Sequence, residues 1–488
     1  MKKFLAIILT ICLMSSVFCI TAFATDEAPS NILLRISALK DNGDTVEIES
    51  HDNLEKGWNS AMSWAKNETK MKNNGYSRII VDLYADWNVG DKGGVFGDGD
   101  GFEESTISFP KNARVTLNMN GHTINRGLVK WEYDGEVMYI NKNANIIIKN
   151  GTITGGWSCN GAGGIHINDG ANVTLENVNI VGNCVDDDDG AGIALYDGAK
   201  LFMNGGSVSN NISYGSTFAV YGGGVYINDS EAYFENVTFE NNQGKNWSTH
   251  GAAIYVDNST LGMNKCLVID NGLSKKVGDV NYVGAYTIID ITRGSNVTIE
   301  NETKFLNNGA PEETQVNLTT KSYTSVIRST ASMVKIDNAT FTNNNQTYLL
   351  DANAIFLDVS NSDFTNNNSL TMFGHGASSY NNTFSNCRFS YSEPLSKDYK
   401  YNFHFRTQQS YFTFIDCDFG DATFNDRSRA TFIDTNSPAG SIFGEGSITM
   451  IFALIALVAS ITSIGISIAL YKKKAAPAAK AKAAEDEE

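Results

Sequence analysis

Proline is scarce in this chain, with 6 among 488 residues, whereas glycine numbers 44 and asparagine is abundant. Cysteine is sparse too: seven in all, of which Cys12 and Cys19 lie in an apolar N-terminal stretch. The other five, Cys159, Cys184, Cys266, Cys387 and Cys417, are odd in number and form no CxxC. That excludes a disulfide framework or a zinc site built from close-set ligands, and most of them read as small apolar fillers. Positive charge is in short supply, since 37 Lys and Arg face 54 Asp and Glu for a formal net charge of −17. Both chain ends are net positive, so the part between them is more acidic still. A field of that sign repels phosphates and excludes nucleic acid as a partner. No LPxTG-type sorting motif is present either.

The ends carry the only long apolar runs. Lys2 and Lys3 precede an apolar stretch over 4–20, and Ala22 and Ala24 then supply the small residues that a signal peptidase needs. The expectation is a signal peptide over 1–24. Near the other end, 447–471 is free of charge and long enough to cross a bilayer core as a helix. Lys472, Lys473 and Lys474 follow at once, marking the cytoplasmic side. The expected protein is therefore single-pass in the plasma membrane. Residues 25–75 form N-terminal strands and a capping helix, and 76–435 the main body. A linker at 436–446, the membrane helix and a cytoplasmic tail over 472–488 complete the chain.

The body repeats itself. Asn177-Val-Asn-Ile180 is followed by Asn183, Asn236-Val-Thr-Phe239 by Asn242, Asn338-Ala-Thr-Phe341 by Asn344, and Asn361-Ser-Asp-Phe364 by Asn367. With degenerate copies, the apolar centres are Ile124, Ile153, Ile180, Val208, Phe239, Leu267, Phe305, Phe341, Phe364, Phe389 and Phe419. Their spacing varies around about thirty residues, and apolar and polar residues alternate between them with the strand period of two. Short strands too small to bury a face alone must stack on the next copy. Eleven copies at the ~4.8 Å interstrand spacing make a column about 50 Å long. The centres should form an inward ladder. A second one should lie two positions earlier, through Val178, Val237, Ala339, Cys387 and Cys417. Asn183, Asn211, Asn242, Asn308, Asn344 and Asn367 should stack in a turn, since Asn tolerates left-handed backbone and its amide bonds along a stack. Cys387 with Cys417, and Cys159 with Cys184, fall close enough in this scheme to form disulfides or to remain stacked thiols. Helical spacing of Leu54, Trp58, Met62 and Ala65 predicts a helix that caps the column.

Three segments carry a resemblance: Asn120-Gly-His-Thr-Ile124, Gly163-Gly-Ile-His-Ile-Asn-Asp-Gly170 and Gly222-Gly-Gly-Val-Tyr-Ile-Asn-Asp229. They resemble the right-handed parallel β-helix proteins of the pectate-lyase-like superfamily and the repeat regions of bacterial polymorphic surface proteins. The likeness covers roughly 76–435. It implies an all-β, single-stranded right-handed parallel β-helix solenoid of about eleven coils. It does not choose among lyases, glycoside hydrolases, adhesins and inert spacers.

Cleavage chemistry would need converging acids or a basic residue on one face. Asp186, Asp187, Asp188 and Asp189 form the best acidic run, as Ca²⁺ ligands, as an acid and base pair, or simply as a solvated loop. Consecutive strand residues alternate faces, so at most two converge without a special turn. Ca²⁺ is the only cofactor to which the residues point. Gly374-His375-Gly376 is similar to one motif of the polygalacturonases, but the Asn-Thr-Asp segment, the paired Asp and the Arg-x-Lys are not where that family has them. Asp98, Asp100, Glu103 and Glu104 make a loose acidic loop without EF-hand spacing. Arg293 and Arg328 are lyase candidates by type alone, and His122 and His166 read as structural.

Loops after the Asn ladder carry large aromatics in repeat after repeat. Trp131 and Tyr133 come first, then Trp157, Tyr214, Tyr221, Trp247 with His250, and Tyr282. If they project on one side they form a strip suited to stacking on sugar rings, with the Asp run in its middle; otherwise they fold back and shield the sheet. The expected ligand-binding residues are Trp131, Trp157, Tyr214, Tyr221, Trp247 and His250. The resulting reading is a membrane-anchored bacterial surface protein, adhesin-like or glycan-binding, with an extracellular glycan or a host or cell surface as partner. A tethered polysaccharide lyase or glycoside hydrolase is the alternative, and a structural stalk the third.

Overall fold

The computed structural model describes residues 31–90, 106–215, 219–245, 249–272, 287–309, 325–344, 348–353, 356–367, 371–373, 382–391, 412–420 and 430–435. The signal stretch, the segment 447–471, Asp98 to Glu104, Gly374 to Gly376, Trp247 and Tyr282 lie outside them. Among the described residues no helix is long and apolar enough to cross a membrane. They form an all-β structure of long parallel sheets with two short helices.

The chain starts antiparallel. Leu34–Lys40 pairs with Thr45–His51 on one side and with Tyr76–Leu83 on the other. Between them runs helix α1 (Leu54–Lys66), N-capped by Asn53, whose side chain accepts a hydrogen bond from Lys56 N at 2.9 Å. Its buried stripe is Gly57, Trp58, Ala61, Met62 and Ala65, the spacing of one helical face. Helix α2 (Glu68–Asn73) follows, with Asn67 as its cap. Trp58 packs edge-on against Trp87 at 5.9 Å and Phe109 at 5.1 Å. Trp87 heads one internal stack and Phe109 heads another, so a single indole closes both.

From Tyr76–Leu83 onward every pairing is parallel. The longest strands, Asn145–Thr154, Asn172–Val181 and Lys200–Ser209, pair in register over their whole length. Each bends halfway at a left-handed residue: Asn150, Asn177, Asn236, Asn338, Asn361 and Asn386 have φ of 50–54°, while Gly205 takes that place in Lys200–Ser209 and Lys265 in the repeat after Asn236. The left-handed Asn is thus the first letter of the Asn-x-x-apolar motif, where asparagine costs less than other residues. Register aligns Trp87, Ile124, Ile153, Ile180, Val208, Phe239, Val268, Phe305, Phe341, Phe364 and Phe389 in one column. Leu267 is therefore not a centre; the neighbouring Val268 is, and Leu267 stands one position out of the column. Phe305, Phe341, Phe364, Phe389 and Phe419 stack at 4.5–5.2 Å with ring planes within 17°. Each such buried ring contributes roughly 1.5–3 kcal/mol of apolar transfer.

Beside this column runs the asparagine ladder Asn183, Asn211, Asn242, Asn271, Asn308, Asn344 and Asn367, which includes Asn271. At each step, Oδ1 of the following Asn accepts both the backbone N–H and the Nδ2 of the preceding one, at 2.9–3.2 Å. Nδ2 also donates to a carbonyl of the preceding repeat, such as Ile180 O for Asn211 at 3.0 Å. The ladder residues are buried and are not themselves left-handed; the residue before each one is, as Gly182, Asn210, Asn241, Asp270, Asn307, Asn343 and Asn366 show.

All five cysteines are free thiols. Register sets Cys184 opposite Trp157, two residues before Cys159. Cys387 and Cys417 each direct Sγ at a backbone carbonyl 3.3 Å away, Ser385 O and Ile415 O.

Candidate functional site

Two further parallel sheets run beside the long one, one of four strands and one of ten. The four-stranded sheet is Trp157–Ser158, Cys184–Asp186, Ile212–Tyr214 and Gln243–Lys245. Its middle residues Ser158, Val185 and Ser213 are fully buried. Strand alternation then sends Trp157, Cys184, Asp186, Ile212 and Tyr214 to the outer face. Glu132 bridges Ser158 in parallel, which adds one more rung. Glu132 faces inward to Arg126 Nη2 at 3.5 Å, so its neighbours Trp131 and Tyr133 face outward. They are 53% and 65% exposed, unusual for rings of this size.

The loop that carries them is pinned from beneath. Arg126 is fully buried and donates to Asp134 O at 3.1 Å and Thr106 Oγ1 at 3.4 Å. Buried Glu136 lies near enough for its charge to act on Arg126, and burial pushes the Glu136 carboxyl up to about 8. Trp157 and Tyr214 behave differently from Trp131. Their rings stack at 5.7 Å with planes 22° apart, and both are half-buried. The Trp157 indole N–H is buried without a hydrogen-bond partner among the described residues.

Tyr221 and His250 belong to a second cluster. They pair across the two-stranded sheet of Val220–Tyr221 and Thr249–His250, with rings at 5.4 Å. That sheet leads into the ten-stranded one, whose outward middle positions are Ser108, Tyr139, His166, Ala194, Tyr226, Tyr255, Asp290, Arg328 and Asp351. Tyr139 and His166 lie at 4.7 Å, Tyr226 and Tyr255 at 5.6 Å, and Tyr196 of the following turn bridges His166 and Tyr226. Burial lowers His166 to about 4 and lifts the hydroxyls of Tyr139 and Tyr255 to about 12.

The column then turns charged. Asp290, fully buried, accepts from Arg328 through Nε at 2.9 Å and Nη2 at 2.5 Å, and His250 Nδ1 lies 3.0 Å from its Oδ2. One repeat earlier, buried Asp257 holds Arg293 in the same forked way. Arg293 and Arg328 are both committed to these carboxylates. Two forked pairs on neighbouring repeats clamp the end of the tyrosine run.

The four consecutive aspartates diverge. Asp186 stays on the outer face beside Tyr214. Asp187 has φ 54° and donates its N–H to Tyr214 O at 2.7 Å. Asp188 Oδ2 accepts Gly161 N at 2.7 Å, and Asp189 Oδ1 accepts Tyr221 N at 2.8 Å. The run thus ties the repeat before it to the repeat after it. Among the described residues no group of three or more His, Cys, Asp or Glu is arranged to hold a metal ion. Burial pushes Asp188 up, and it lifts Asp189, with the Asp188 charge adding to it, to about 8.

Of the sequence candidates, Trp131, Trp157 and Tyr214 share one face, Tyr221 and His250 share another, and the Asp run lies between. The tyrosine column and the Asp290–Arg328 pair were missed. Their signal was available as the middle letter of Met138-Tyr-Ile140, Ile165-His-Ile167, Val225-Tyr-Ile227 and Ile254-Tyr-Val256. No protein-family model, curated protein or solved structure matches this chain.

Proposed function

We propose that the chain is a bacterial surface protein whose exterior is a right-handed parallel β-helix of about eleven coils. It is exported by the signal over 1–24, held in the plasma membrane by 447–471, and binds glycans outside the cell. The single observation that carries the binding role is the pair Trp131 and Tyr133. Two large rings stand exposed two residues apart, on a loop to which the buried Arg126 donates a hydrogen bond at Asp134 O. Exposed aromatic rings on a pre-ordered loop stack on sugar faces at small entropic cost. Asp186 on the same face supplies a hydrogen-bond acceptor for hydroxyls.

The test is a glycan and polysaccharide screen with the purified full-length chain in detergent, with and without Ca²⁺. The expected result is binding that Trp131→Ala with Tyr133→Ala abolishes at unchanged melting temperature. Binding that survives the double substitution would overturn the assignment. The lyase or hydrolase alternative draws on Asp188 and Asp189, adjacent carboxyls of which Asp189 keeps its proton to about pH 8. It predicts product release in the same screen.

A further inference from the structure

The loop that carries Trp131 and Tyr133 runs from Arg126 to Glu136, and its two ends meet in a sealed polar cluster. Arg126 and Glu136 are each 1% exposed. Thr106, from the preceding repeat, joins the two ends. Its Oγ1 accepts from Arg126 Nη1 at 3.4 Å and donates to Asp134 O at 3.2 Å, with Glu136 O at 3.5 Å. Arg126 Nη2 reaches Asp134 O at 3.1 Å and Glu132 Oε2 at 3.5 Å. From the following repeat, Asn160 Nδ2 donates to Asp134 Oδ1 at 3.0 Å.

One guanidinium thus serves three carboxyls. Glu132 takes the ion pair and Asp134 takes the amide. Glu136 is left over: its Oε2 is sealed from water with no hydrogen-bond partner among the described residues, and so is Arg126 Nε. A sealed carboxylate without a donor is costly, and three negative charges against one positive in the same cluster are costlier still. The carboxyl that can stay neutral is Glu136, and burial pushes it up to about 8. Tyr139, which also faces this cluster, adds no charge, because burial pushes its hydroxyl up to about 12. The strands on either side of the loop, Thr123–Asn125 and Met138–Ile140, are paired in register on the column. The loop between them is the part that can yield.

We propose that Glu136 is a proton-operated latch for the ring-bearing loop: with its proton on, the loop stays closed over Arg126, and loss of the proton favours the open loop. In the open loop the carboxyl meets water and returns to an ordinary value near 4.3. The hold is therefore complete below that value and is lost as pH rises towards about 8, with opening easier by up to about tenfold per pH unit and level above. As a control on binding the latch rests on the glycan-binding reading of the two rings, whereas the opening itself does not.

Digestion of the folded full-length chain in detergent with proteinase K tests this without any glycan. Cuts within 127–135 are mapped by mass spectrometry, and the rate at each pH is divided by that of a free peptide of residues 126–136. From pH 5.5 to 7.5 the corrected rate should rise at least about tenfold, and it should level off above about 8. Glu136→Gln keeps the shape and cannot ionise, so its rate should stay low and flat over the same range. Glu136→Leu should be flat as well and serves if the Gln variant does not fold. A flat rate in the parent, or the same rise in either folded variant, would overturn the latch. The expected rise in a chain that binds no glycan would uphold the latch and overturn the reading of the rings.

Discussion

Two columns of rings run along this molecule, one inside it and one on its surface. The inner column is Phe305, Phe341, Phe364, Phe389 and Phe419, near-parallel and sealed. The outer one is Tyr139, His166, Tyr226 and Tyr255 on the ten-stranded sheet. The same in-register stacking builds both. Inside, every member must be apolar, because a polar one would be buried without a partner. Outside, the column passes through Ala194 and then becomes Asp290, Arg328 and Asp351. Stacking sets the place of a side chain, and only the inner face also dictates its chemistry. Chemical function is therefore free to accumulate on the outer column.

The contrast can be broken from the inside first. Phe341→Asp puts an unpaired charge between two stacked rings and should cost more than about 4 kcal/mol, enough to abolish cooperative melting by circular dichroism. An unchanged melting curve would refute the inner ladder. Asn242→Leu removes the acceptor for two N–H groups of Asn211 and the donor to Val208 O. It should cost about 2–4 kcal/mol in denaturant unfolding, since buried groups are left unpaired. Trp157→Ala should cost about 1–3 kcal/mol, because that ring is half-buried on Tyr214, whereas Trp131→Ala should shift stability by less than about 0.5 kcal/mol. Equal effects of the two would erase the distinction between the stacked and the exposed ring.

A separate effect is in pH, read as a trend and not as a fixed loss. Asp189 is raised from an ordinary carboxylate to about 8 in the fold. Its contribution is fully present below the unfolded pKa near 3.9 and is lost as pH rises through about 8. The melting-temperature advantage of Asp189→Asn over the parent should therefore widen from pH 4 to 8 and level off above. His166, lowered to about 4, works in the opposite sense. Its contribution is present above 6.5 and is lost as pH falls towards 4. A constant gap between Asp189→Asn and the parent at all pH values would show that Asp189 is solvated.

Much of the parallel-sheet layout was legible because its signals are local. Alternation, a repeating Asn and a recurrent apolar letter lie within a few residues of each other. The slip at Leu267 has a physical cause. Leu267, Val268 and Ile269 are three aliphatics in a row, so alternation gives no phase there. Counting three residues back from Asn271, as from Asn242 to Phe239, would have chosen Val268. The outer sites were less legible because they join residues from different repeats. The tyrosine cluster draws Tyr196 from a turn, Tyr221 from a two-residue strand and Tyr226 from a strand of the ten-stranded sheet. Nothing in the spacing says that these meet. The aromatic candidates divided for a related reason: Trp131 and Trp157 lie on one sheet, while Tyr221 and His250 have already passed the Asp run that separates it from the next.

The partners in the asparagine ladder are 28, 31, 29, 37, 36 and 23 residues apart. Yet every rung has the same three bonds. Counting along the chain is thereby uncoupled from counting along the column. A loop can gain or lose a dozen residues, and the next amide still indexes the following turn to the right height. Such a scaffold can exchange whole loops between repeats without renumbering what comes after, so its surface can diversify one insertion at a time while its interior stays in phase.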